Sequence, residues 1–120
     1  MAKREKYDLE ERLIDFAALI IEIVRQLLSD RVGVHLSGQL LRSGTSPGLN
    51  YGEALGAESR RGFIHKLKVV LKELKETFVC LKILVRISYL SIESPALKEC
   101  NELISIFVTS IDTAGTNMNE

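Results

Sequence analysis

From Ile64 to Val85 the chain steps along its apolar residues by three and four without a slip, Ile64, Leu67, Leu71, Leu74, Phe78, Leu81 and Val85, and Ser88 continues the spacing. A strand repeats every two residues, so this rhythm fits an α-helix that turns one line of side chains toward a neighbouring helix. The line is a seam of the coiled-coil kind, about four heptads long, and it predicts a helix over residues 59–90. No other segment alternates convincingly, Pro is nearly absent and aromatics are few. The expectation is an all-α fold.

The rest of the 120-residue chain divides into three more helical stretches, which at this length form one domain over residues 1–120. Asp8 is placed to cap the first, over about 8–28, with Glu11 completing a capping box. Leu9, Leu13, Phe16, Ile20, Ile23 and Leu27 give its inward stripe. The polar turn "SDRVG" follows. Near the other end Ser94 is the expected N-cap of a helix over 95–114, with Pro95 at its first position, where a missing N–H costs nothing. Leu97, Cys100, Ile104, Phe107 and Ile111 form its stripe, and Gly115 is placed to end it.

Between these lies "RSGTSPGLNYGEALG", which reads either as a loop or as a helix that needs small residues. Gly44, Gly48, Gly52 and Gly56 fall every four residues, a ridge along one side of a helix, and an apolar stripe runs through it from Leu36 and Leu40 to Pro47, Tyr51, and Ala54 or Leu55. Four glycines cost about 1 kcal/mol each in a helix interior and Pro47 about 3, since it loses the bond to the Ser43 carbonyl. Close packing against a neighbour offsets that penalty. The spacing favours a kinked helix over about 31–57, with a helix–loop–helix break as the alternative. Arg42, Ser43, Gly44, Thr45, Ser46, Gly48, Asn50 and Glu53 form the helix-packing motif, and its polar members are expected to make a network between closely packed helices rather than a ligand site.

The charges balance to zero over the chain, but not locally. Residues 59–92 carry eight Lys/Arg against two Asp/Glu, whereas residues 1–58 carry seven against nine and residues 93–120 one against five. Within the basic segment Arg60, Arg61, His65, Lys66, Lys68, Lys72, Lys75, Lys82 and Arg86 follow one side of the helix. Such a stripe can hold phosphates by counterion release; the alternative is a solvated face paired with the acidic helices. No aromatics interleave it, so base stacking and sequence specificity are not expected. Val69, Val70, Cys80, Ile83, Leu84, Ile87 and Leu90, with Ile14, Ala18, Ile21 and Leu28 of the first helix, are apolar beyond what one buried face requires, which points to self-association.

Enzyme chemistry finds little support. Neither His35 nor His65 has a glutamate three residues before it, as a di-iron bundle requires. Walker, dinucleotide, zinc and nucleophile-elbow patterns are missing, and Glu53, Glu58 and His65 lack diagnostic metal spacing. No cofactor is expected. Cys80 and Cys100 are too few for a disulfide framework and read as core residues in a reducing compartment. The charged "MAKREKYDLEER" precedes no secretory signal, and "FAALIIEIV" is cut by Glu22 and too short to span a bilayer. The expected location is the cytoplasm, without a membrane partner.

The stretches "QLLRSGTSPGLNYGEA", "AESRRGFIHKLKVVLKELKET" and "LISIFVTSI", in that order and spacing, resemble the four-helix bundle proteins named for 23S rRNA intervening sequences. These are small bacterial proteins, some encoded inside such inserts. The resemblance covers residue 8 to about 114. It implies an antiparallel up-and-down four-helix bundle, with "RSGTS" inside the second helix, that assembles as a ring-like homo-oligomer, namely a pentamer. The chain is also similar to the accessory variability protein of diversity-generating retroelements, a pentameric barrel that works with a reverse transcriptase and nucleic acid. The resulting expectation is a non-enzymatic oligomeric accessory protein that binds RNA, DNA or a ribonucleoprotein without sequence specificity. The competing expectation is a scaffold that binds only protein partners.

Overall fold

The structure, a computed structural model, describes residues 8–119 and the side chains of residues 8–116. Four helices follow one another: α1 (Leu9–Gln26), α2 (Arg31–Leu55), α3 (Arg60–Arg86) and α4 (Pro95–Asn119), with no strand among the described residues. Successive helices pack side by side and α4 returns to α1, so the chain runs up, down, up and down around one core. The register is antiparallel: Arg42 and Glu53 of α2 reach Glu73 and Lys66 of α3.

Local chemistry sets the helix starts. Asp8, Asp30 and Ser59 each accept a hydrogen bond from the backbone N–H three residues on, at Glu11, Gly33 and Gly62, which satisfies a donor the helix leaves open. Gly33 is required for a second reason. A Cβ there would overlap the Leu28 carbonyl, so only glycine lets the α1–α2 turn fold so tightly.

The glycine-rich stretch lies inside α2, which is continuous from Arg31 to Leu55 with Pro47 within it. Pro47 and Gly44 are buried, and Gly44 faces Ile20 of α1 at a separation that leaves no room for a side chain. The rest of the ridge is looser. A Cβ at Gly48 would meet Leu13 at 3.8 Å, and one at Gly52 would meet only Glu10 at 3.7 Å.

The α1 stripe is buried at Leu13, Phe16, Ile20 and Ile23 and half-buried at Leu9 and Leu27. In α3 the core differs from the expected seam. Leu67, Val70, Leu74, Thr77, Cys80, Leu81 and Leu84 are buried, whereas Ile64, Leu71, Phe78 and Val85 are only half-buried. A straight helix drifts about 20° per heptad against a strict seven-residue repeat, and α3 lies between α2 and α4, so its buried arc is wide and shifted. Val70, Cys80 and Leu84, which the sequence set aside for a partner, thus belong to the chain's own core.

The ends need correction too. α1 stops at Gln26 and α2 at Leu55, and α3 begins at Arg60 with Ser59 as cap. It closes at Arg86 rather than residue 90, because Ser88 takes a left-handed conformation (φ 66°) and the Tyr89 and Leu90 amides turn back to the Leu84 carbonyl. Ser88 is therefore no seam position. At the fourth helix the Ser94 hydroxyl accepts from the Ala96 amide as expected, but α4 runs through Gly115 to Asn119. Gly115 keeps a negative φ; glycine permits a helix end without imposing one.

Candidate nucleic-acid interface

α3 places a row of basic side chains opposite the core. Arg61, His65, Lys68, Lys72 and Lys75 recur at steps of three or four and are all exposed, forming a ladder about 21 Å long at 1.5 Å per residue. Helical periodicity causes this: the residues that bury Leu67, Val70, Leu74 and Thr77 leave the intervening positions on the far side. None of the five has an ion pair among the described residues, and neither has Arg86.

The other three stripe residues are engaged. Lys66 is half-buried and donates to Glu53 Oε1 of α2 at 2.6 Å. Arg60 lies over the Phe63 ring at 5.9 Å and Lys82 over Phe78 at 5.2 Å, cation–π contacts that hold each head against its own helix. The nine residues thus separate into an open ladder of five between Arg61 and Lys75, an unpaired Arg86 at the end of α3, and three positions tied to neighbours.

Several acids of the bundle are held by other partners. Glu99 and Glu102 of α4 receive Arg12 of α1 at 2.8 and 3.0 Å. Hydrogen bonding to Glu99 raises the already high pKa of Arg12 further. Glu22 accepts from Gln26 and pairs with Arg25 within α1. Within α3, Glu73 and Glu76 both bind Arg42.

The packing motif of α2 has a different character from the expected interhelical network. Only Arg42 and Glu53 cross to α3. Thr45 Oγ1 donates to the Leu41 carbonyl at 2.7 Å, and Asn50 Nδ2 donates to the Ser46 hydroxyl and carbonyl at 2.8 and 3.0 Å. These short side chains find acceptors one turn back in their own helix before any neighbour can supply one. Ser43 is fully buried and its hydroxyl has no partner; its carbonyl lies one turn before Pro47, which has no N–H to offer.

Glu53 is committed to Lys66, and among the described residues no three His, Cys, Asp or Glu side chains converge as metal ligands. Burial pushes the Cys80 thiol up and the Cys100 thiol to about 12, which disfavours the thiolate that a nucleophile needs. Among the described residues no helix is long and apolar enough to cross a membrane.

Sequence reasoning missed a second surface feature. Val79, Ile83 and Ile87 remain 55, 43 and 40% exposed on α3 and, with Lys82 and Arg86, line an open hollow of about 280 Å³. Val79 falls in the sequence between Lys75 and Lys82 of the basic stripe, and Ile83 and Ile87 stood among the surplus apolar residues, so the signal was present but split.

Known proteins agree with this architecture. Residues 5–109 match the model of the 23S rRNA-intervening sequence protein family. A crystal structure of a protein of unknown function from the S23 ribosomal protein family of Bacteroides thetaiotaomicron superposes with a TM-score of 0.81 at 33% sequence identity, covering 86% of this chain and 97% of that one. No curated protein matches the chain.

Proposed function

The chain belongs to the 23S rRNA-intervening sequence protein family, and we propose that it is a non-enzymatic, oligomeric accessory protein of the cytoplasm that holds nucleic acid, bare or within a ribonucleoprotein, by its phosphate backbone. The observation that carries this reading is the unpaired ladder of Arg61, His65, Lys68, Lys72 and Lys75 on the outer face of α3. Charges left open in this way gain most from phosphate, because each contact releases a condensed counterion. Without aromatic side chains between them the contact is to backbone, and RNA and DNA of any sequence are acceptable. The assembly is a ring-like homo-oligomer, five copies being the number the family resemblance suggests, and a ring repeats the ladder into a belt of positive charge.

The test is retention of structured RNA. Wild-type protein should bind near 50 mM salt and lose affinity steeply toward about 200 mM. Lys68→Glu with Lys72→Glu and Lys75→Glu should abolish retention while leaving helicity and oligomer size unchanged, since all three side chains are exposed. Absence of wild-type binding, or binding that the triple substitution leaves intact, refutes the reading. The protein-only scaffold then takes its place, favoured by the apolar hollow at Val79, Ile83 and Ile87.

A further inference from the structure

The ladder on α3 mixes two kinds of basic side chain. Lysine and arginine stay cationic through the neutral range, whereas imidazole is the one ordinary side chain that gains or loses its charge between pH 5 and 8. His65 stands second in the row, one turn after Arg61 and one turn before Lys68, and it is exposed. At 1.5 Å per residue it lies about 6 Å along the axis from Arg61 and about 4.5 Å from Lys68. A sugar–phosphate strand that touches both of those cations therefore passes over the ring.

No hydrogen bond or ion pair engages the His65 ring among the described residues. The charged groups of α3 around it are Arg61, Lys68 and Lys72 of the ladder and Lys66, its neighbour in sequence. Glu53 is the acid that α2 presents at this height, and Lys66 holds it at 2.6 Å. Glu58 is exposed in the connection before α3. On the other side, Cys100 Sγ donates to the Leu74 carbonyl, an antiparallel register that brings Asp112 of α4, also exposed, level with the first turn of α3. Neither Glu58 nor Asp112 pairs with the ring.

We propose that His65 makes the hold of the ladder on nucleic acid proton-linked, so that the site takes up a proton from solvent as it takes up phosphate; this rests on the nucleic-acid reading above. An imidazolium adds a further cation that displaces a condensed counterion from the backbone, and a neutral imidazole displaces none. A phosphate beside the ring favours its charged form. Protonation then strengthens binding by the same factor by which binding strengthens protonation. The protein grips a phosphate backbone more tightly on the acid side of neutrality than on the alkaline side.

The test is affinity for a structured RNA at pH 8 and pH 6, across a salt series, for the wild type, His65→Gln and His65→Lys. Ordinary carboxylates keep their charge at both values. The wild type should match His65→Gln at pH 8 and His65→Lys at pH 6. Its affinity should rise about 8-fold near 100 mM salt, and the slope of log affinity against log salt should steepen by about 0.9, the contribution of one phosphate contact. Both variants should bind alike at the two pH values. His35→Gln is the control: His35 is exposed on α2, beside the Leu36 carbonyl that accepts from Cys80 and so beyond the Lys75 end of the ladder, and its loss should leave the wild-type response. Calorimetry at pH 7 in two buffers of different ionisation heat gives a second readout, in which RNA binding takes up protons in the wild type and none in His65→Gln. A wild type that binds RNA at neither pH overturns the nucleic-acid reading itself. Equal wild-type binding at the two pH values, a pH response that His65→Gln keeps, or binding without proton uptake overturns the proton link alone.

Discussion

Gly44 of α2 lies so close to Ile20 of α1 that a Cβ on the glycine would come within 2.7 Å of Ile20 Cγ2 and 2.8 Å of Cγ1. Ile20 is fully buried and its branched side chain has little χ1 freedom, so it cannot swing aside. Gly44→Ala should destabilise the fold by about 1–3 kcal/mol through overpacking, despite the better helix propensity of alanine. Gly38 is the control. Nothing lies within 4 Å of a Cβ placed there, so Gly38→Ala should stabilise by up to about 1 kcal/mol. Urea unfolding of the two variants beside the wild type checks both signs.

The buried thiols give a second expectation. Cys100 is fully buried, its Sγ donates to the Leu74 carbonyl at 3.3 Å, and burial, followed by the charge of Glu99, pushes its pKa to about 12. Near pH 8 neither Cys100 nor Cys80 should react with a disulfide reagent in the folded chain, and both should react promptly in denaturant. The linkage sign follows from the direction of the shift. A folded pKa above the unfolded one stabilises fully below the unfolded value, and that contribution is lost as pH rises from the ordinary thiol range toward 12. Cys100→Ala should flatten the alkaline limb of the stability curve, and an unchanged limb would count against the shift.

How far the sequence exposed this architecture depends on what each residue needed to know about its neighbours. Asp8 with Glu11 and the stripe from Leu13 to Ile23 carry their meaning within one helix, and α1 follows from them directly. The ridge of Gly44 and Gly48 identified α2 as a helix because a four-residue period has no meaning in a loop. The core face of α3 was less legible: Val70 and Leu84 differ from Leu71 and Val85 only in where α2 and α4 stand, which no local pattern states. Gly33 looked like an ordinary turn residue, although Asp30 three positions before it was a usable capping signal. At the candidate interface the cations could be listed from the sequence. Their freedom could not, because it depends on where the acids stand in the bundle: Glu99 and Glu102 meet Arg12, and Glu73 and Glu76 meet Arg42.

The α3 end is fastened to the α1–α2 turn by the Tyr89 hydroxyl, which donates to Asp30 Oδ2, while Asp30 Oδ1 caps Gly33. The Tyr89 bond, then the Gly33 amide, hold the Asp30 carboxyl below its usual range, and the same bond to Asp30 raises Tyr89. A depressed carboxylate pKa contributes stability that is present above the unfolded value and lost as pH falls through the folded one. Acid titration of the fold should therefore show a step on the acid side of the normal aspartate range that Asp30→Asn removes and Tyr89→Phe weakens. If both variants follow the wild-type acid limb, the pair makes no difference to stability.

The division within the basic stripe makes the sharpest prediction for binding. Lys68 and Lys72 are exposed and unpaired, so each that meets a phosphate adds a released counterion, and Lys68→Gln should lower the slope of log affinity against log salt by about 1. Lys66 is already neutralised by Glu53 at 2.6 Å. Removing it leaves Glu53 without a partner and releases no counterion from the nucleic acid. Lys66→Gln should accordingly leave the slope unchanged while weakening binding only slightly at every salt concentration, through the uncovered acid. RNA retention measured across a salt series for the three proteins separates the cases. Equal loss of slope for Lys66→Gln and Lys68→Gln would mean that the cations act as an undivided cloud and not as an open ladder beside paired neighbours.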